Sequence, residues 1–188
     1  MRARDYRARY PDVAVRDGMA GEIARLERLE RGESAGASAL SADYERLGKS
    51  SSPAGRDRGL ALAREYLADY GKRAEARAVL AEIVSKAPAS PSRLSRGERV
   101  VFASAYALLA ESYRAGGDYR PAARAFLSAG TYFSPIDGER AAEALYGATD
   151  CFLLTSLRGD AEKTMETLEA TWPDSVWTRR ARMLITAQ

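Results

Sequence analysis

A chain of 188 residues, 46% of them hydrophobic, is long enough to bury one sizeable core or a row of smaller ones, and its 29 basic against 26 acidic residues leave it almost neutral. It has no histidine and a single cysteine, Cys151, which removes the commonest general base, the commonest zinc ligand and any internal disulfide. No apolar run approaches the ~18 residues of a membrane span, and the first residues lack the apolar segment of a secretion signal; the chain therefore reads as soluble, a signal or lipid anchor on a longer precursor being left open.

In chain order, residues 2 to 9 read as the last turns of a helix that ends at Tyr10-Pro11-Asp12, since proline stops a helix and the Asp after it can cap the next. From Val13 to about Arg31, Met19, Ile23, Leu26 and Leu29 recur at helical spacing and give an amphipathic helix. Residues 32 to 56 are rich in Gly and Ser, with a short helix near 39 to 47, and read as a flexible junction. Helices of about 55 to 70 and 73 to 86 follow, turning at Tyr70-Gly71-Lys72, where glycine is expected to supply the left-handed conformation. After a Pro/Ser loop over 87 to 96 come helices of about 97 to 115 and 119 to 133, turning at Gly116-Gly117-Asp118, with Asp118 expected to cap the second and Pro121 in its first turn. A third pair spans about 138 to 156 and 160 to 171 around Arg158-Gly159-Asp160, and Trp172-Pro173-Asp174 leads into a last helix from about 175 to 186.

The three pairs share one frame. Leu60, Ala63, Leu67, Ala76, Leu80 and Ile83 recur as Tyr106, Leu109, Tyr113, Ala122, Phe126 and Ala129, and again as Leu145, Ala148, Phe152, Ala161, Met165 and Leu168. Spacing inside the frame is constant while the loops vary, which is the signature of a repeated helical hairpin. A hairpin of this size cannot bury its own apolar face, so the copies are expected to stack in a row whose exposed groove binds other chains.

These hairpins resemble tetratricopeptide repeats: a large residue and a Leu or Ala three later open the first helix, Gly-Asp-Tyr makes the turn, Ala begins the second helix and Pro ends it, with Tyr106 to Pro135 the best match. The resemblance covers residues 55 to 173 and implies an all-α fold, a right-handed superhelical stack of antiparallel hairpins. It divides the chain into a degenerate half-repeat and repeat over 1 to 50, three hairpins over 51 to 173 and a capping helix over 174 to 188. Arg64 departs from the pattern where Gly or Ala is usual, so that contact is either looser or its guanidinium reaches outward. The Tyr-Pro-Asp and Trp-Pro-Asp-Ser joints are similar to those of the bacterial envelope branch, which includes outer-membrane assembly lipoproteins and the Tol-Pal coordinator. That likeness implies a periplasmic or envelope-associated adaptor, with a cytoplasmic one as the alternative.

The family lines its groove with the first helix of each pair, and the frame carries this onto Arg58, Ala61, Glu65 and Asp69, then Ser104, Ala107, Glu111 and Arg114, then Glu143, Tyr146, Asp150 and Leu153. Five acids against two arginines imply an acidic groove suited to a basic or mixed-charge protein segment. Tyr146 is the expected main contact, since aromatic rings give large area at low entropy cost; packing against the last helix is its structural alternative. The lysines and asparagines of the family's carboxylate clamp are absent from these positions. A pocket near Tyr146 for a small ligand is the competing reading, and a structural subunit of a larger assembly the third.

Other motifs carry less. Gly48-Lys49-Ser50 lacks the first glycine and preceding strand of a phosphate-binding loop. Arg158-Gly159-Asp160 is accounted for by a turn, and Cys151 falls in an Ala/Leu/Phe-rich helix where a thiol packs as a small hydrophobe. The densest basic stretch, Lys86 to Arg99, has no interleaved aromatics for stacking on nucleic acid. Without histidine no triad can be proposed, so the chain is expected to be non-catalytic, with no cofactor and no metal.

Overall fold

The computed structural model describes residues 35–186; the Tyr10-Pro11-Asp12 joint, the helix over 13 to 31 and the half-repeat expected before it lie outside the described residues. Within them the regular structure is all-helical: α1 (Ala35–Arg46), α2 (Pro53–Ala68), α3 (Arg73–Val84), α4 (Arg96–Ala115), α5 (Tyr119–Phe133), α6 (Gly138–Leu154), α7 (Arg158–Thr171) and α8 (Val176–Thr186), with short 3₁₀ turns between some of them. The chain divides into two compact units, one ending at Ala76 and one beginning at Arg77.

In the first unit α1 packs on α2 across a corner built by the Gly/Ser-rich stretch. Gly48 and Lys49 both take left-handed backbone, a 3₁₀ turn follows at Lys49–Ser51, and Ser52 caps α2 by accepting from the Gly55 amide at 3.0 Å while donating to the Leu47 carbonyl at 2.9 Å. Pro53 then stands at the first helical position, where its missing N–H costs nothing. Gly55 is held so close to the Lys49 carbonyl that a Cβ would lie 1.7 Å from the oxygen. This stretch is thus a capped, tightly packed corner and not the loose junction its composition suggests.

The second unit is built around α5 and α6. α5 lies against both α4 and α6, and α6 also touches α7 and α8. Two glycines let α5 and α6 approach, and they work reciprocally: Gly130 of α5 faces the Leu145 side chain of α6, and Gly147 of α6 faces the Phe126 ring of α5, each with room for no more than a tight Cβ. A large side chain of each helix thereby seats over a bare stretch of the other. A second cluster joins Ala142, Leu145, Met165, Leu168 and Ala181, so α6, α7 and α8 share one core.

Most frame residues are buried, alongside others outside the frame such as Leu62, Phe102 and Phe133. Fifteen of the eighteen are buried, with Ala63, Ala76, Leu80, Ile83, Ala122, Ala129, Ala148, Ala161 and Leu168 fully so, and the other three, Leu67, Tyr106 and Tyr113, half-buried. Arg64 is exposed, in keeping with a guanidinium that reaches outward.

Helix ends differ from expectation in four places. Gly71 is not left-handed; α2 stops at Asp69, whose carboxylate accepts from the Gly71 amide at 3.1 Å, and a 3₁₀ turn leads into α3. Asp118 gives α5 no side-chain cap, because its carboxylate accepts from Arg77 at 3.1 Å. The third turn is not at Gly159, which lies inside α7, but at Ser156, a serine at φ 59°. Finally, Ser175 and not Asp174 caps α8, its hydroxyl oxygen accepting from the Trp177 amide at 3.2 Å.

The second and third turns are the same closure built from different residues. After α4, Gly117 (φ 80°) donates to the Arg114 carbonyl and Asp118 to the Tyr113 carbonyl, both at 3.0 Å. After α6, Ser156 donates to Leu153 at 3.0 Å and Leu157 to Phe152 at 2.9 Å. Both are Schellman motifs, which satisfy the last orphan carbonyls of a helix through one left-handed residue. Tyr113 and Phe152, the acceptors, are equivalent in the frame, and so are Gly117 and Ser156.

Candidate partner-binding face

The groove residues named from the sequence fall in both units. In the first, Arg58 is exposed and lies 3.6 Å from Asp43 of α1; Asp43 has its pKa lowered chiefly by its hydrogen bond from Arg46, desolvation opposing and the charges of Arg46 and Arg58 adding. Glu65 is half-buried on α2. Asp69 is taken up by the turn after α2, as described, which leaves less of its carboxylate for a partner.

In the second unit α4 and α6 bring three of the residues together. Arg114, near the end of α4, lies 2.8 Å from Glu111 one turn earlier and 3.8 Å from Asp150 of α6. The helix spacing of three residues makes the first contact; the packing of the unit makes the second. Burial works against the charged guanidinium, but Glu111 and then Asp150 outweigh it, and the Arg114 pKa is raised. Glu143, two turns before Asp150 on the same helix, is exposed and has no ion partner among the described residues. With three carboxylates against one guanidinium, this face keeps an acidic bias, yet two of the three are already engaged and the free charge is concentrated at Glu143.

Ser104 is buried, at 8% exposure, and contributes little surface. Tyr146 is half-buried, its ring 5.4 Å from that of Trp177 and tilted against it, and it packs on the core shared by α6, α7 and α8. Trp177 in turn carries the Arg180 guanidinium 4.8 Å above its ring. The contact of Tyr146 with the last helix is therefore present, and only the remaining part of the ring is open to solvent. Trp177 and Arg180 were not among the groove residues named from the sequence; their spacing of three on α8 is the signal that joins them.

The remaining motifs take structural positions. Cys151 is buried, and burial, with Asp150 adding and Arg114 opposing, pushes its thiol up to about 11; a thiol held protonated at neutral pH is a poor nucleophile. Gly48-Lys49-Ser50 forms the corner between α1 and α2, and Arg158-Gly159-Asp160 the first turn of α7. Comparison of the chain with protein-family models, with curated proteins and with solved structures finds no match.

Proposed function

We propose that this chain is a row of helical hairpins of the tetratricopeptide type and serves as a non-catalytic scaffold that holds another protein. The observation that carries the reading is the recurrence in α4–α5 and α6–α7 of the same apolar frame together with the same Schellman closure, even where serine replaces glycine. Equal frames with equal turns are what a repeat unit would show, and stacked units leave a long helix-lined face for a partner. The partner segment would be basic or mixed in charge and would meet Glu143, the open edge of Tyr146 and the Glu111–Arg114–Asp150 cluster. The envelope setting rests on the Trp172-Pro173-Asp174 joint and its N-terminal counterpart.

The test uses Glu143, because an exposed carboxylate without an ion partner among the described residues can be reversed with little effect on the fold. Glu143→Lys is expected to lose most of the proteins that the wild-type chain captures from extracts of its own organism, at unchanged thermal stability. Identical captured sets from the two proteins would remove this face from the interaction.

A further inference from the structure

A groove of about 600 Å³ runs along the side of the second unit where α5 and α7 flank α6. Its size is that of a small-molecule site. Leu127 of α5, Leu145 and Phe152 of α6 and Trp172 after α7 supply apolar floor, and threonines form much of the walls. These threonines are less polar than they look. Thr131, Thr164 and Thr167 donate their hydroxyls to the carbonyls of Leu127, Asp160 and Lys163 in their own helices, so their donor protons are committed to the backbone and the groove is offered methyl groups and acceptor oxygens.

One end of the groove is basic. Lys163 lies in its lining beside Asp160, 3.9 Å away at the limit of an ion pair, and is 79% exposed. On α5, Arg124 and Arg120 stand one and two turns before Leu127 on the same face of the helix. Both are exposed and neither has an ion partner among the described residues. The charged residues of the lining, Lys163 and Asp160, thus lie at the end where α7 begins, with Arg124 and Arg120 continuing the Leu127 face of α5 beyond the lining towards its own start, while the lining at Ser134, Thr171 and Trp172 is uncharged.

We propose that this groove binds a free single-chain amphiphile with an anionic head, an alkyl carboxylate, its chain along Leu127, Phe152 and Trp172 and its head at Lys163 and Arg124. The charge asymmetry selects the occupant: an apolar slot uncharged at one end and flanked by cations at the other suits a chain with one anionic terminus. This site is separate from the face proposed for a partner protein and does not depend on it.

Titration calorimetry of the full chain with sodium dodecanoate below its micellar concentration tests the assignment. Saturable binding with one site is expected, tightening by up to about fourfold for each methylene added from octanoate upward. Thr167→Phe, which fills the groove from an exposed wall position, should weaken it at least tenfold; Thr131→Phe on the opposite wall serves if that variant does not fold. Arg124→Glu with Lys163→Glu should abolish dodecanoate binding and gain affinity for dodecyltrimethylammonium. No saturable heat with the wild type, binding indifferent to the groove-filling variants, or a charge-reversed protein that still prefers dodecanoate would each overturn the proposal. So would uptake only onto phosphatidylglycerol vesicles, which would make the surface a membrane contact instead.

Discussion

Ser156 is the residue at which the local physics is most exposed to test. A left-handed backbone costs an L-residue with a side chain roughly 1 kcal/mol or more relative to glycine, and the equivalent position after α4 is Gly117. Ser156→Gly should therefore raise the stability by about 1 kcal/mol in urea unfolding, and Gly117→Ser should lower it by a similar amount; changes of the same sign for the two would show that the closures are not equivalent. Cys151 tests burial at the same scale. Its folded pKa of about 11 lies above the ordinary thiol value of 9.0, so the fold favours the protonated form. Its contribution is complete below pH 9 and is lost as the pH climbs towards 11. Ellman's reagent at pH 8 should react only as fast as the protein opens, and Cys151→Ala should flatten the stability loss between pH 9 and 11. A thiol that titrates freely in the folded chain would contradict its burial.

At the scale of elements, the helices were readable because much of their punctuation is written in local chemistry: apolar residues at helical spacing, Pro121 in a first turn, and the Gly116-Gly117-Asp118 turn, where Gly117 is left-handed. The miss at Asp118 has a cause no local pattern carries, competition for a side chain by a partner distant in the sequence. Asp118 looks like a cap but accepts from Arg77, which is 41 residues away. Arg77 also donates to the Ser112 hydroxyl at 2.9 Å and to the Ser112 carbonyl, and covers the Tyr113 ring at 4.9 Å. Nothing in the spacing of Arg77 marks it as the tie between α3 and the end of α4. Gly130 and Gly147 were unreadable for the same reason, since a glycine inside a helix signals a close approach without naming the neighbour. Arg77→Ala should cost about 1–3 kcal/mol through the carbonyl and hydroxyl it leaves unsatisfied, measured by chemical denaturation. Leu109→Ala, in the core of α4 at 5% exposure, should cost about 2–5 kcal/mol; an effect within error would remove Leu109 from the packed frame.

For the molecule as a whole, the candidate face was less readable than the helices that carry it. The sequence names the residues on the first helices but not their engagements, so Glu111 and Asp150 counted as free acids until α4 and α6 placed Arg114 between them, and Tyr146 counted as open until Trp177 covered part of it. The account as a whole depends on hairpins that are separable neighbours and not parts of one indivisible core. In a row of repeats stability is a sum of unit and nearest-neighbour contributions, so losing the last units shortens the structure without abolishing it. The most direct measurement is urea unfolding, followed by far-ultraviolet circular dichroism, of a chain shortened to end at Pro135, which keeps α4 and α5 and removes α6 to α8. The expected result is helical signal retained per residue and a cooperative transition with a smaller m-value, in proportion to the surface lost. Loss of the helical signal, with no transition, would contradict the repeat and with it the scaffold built on it.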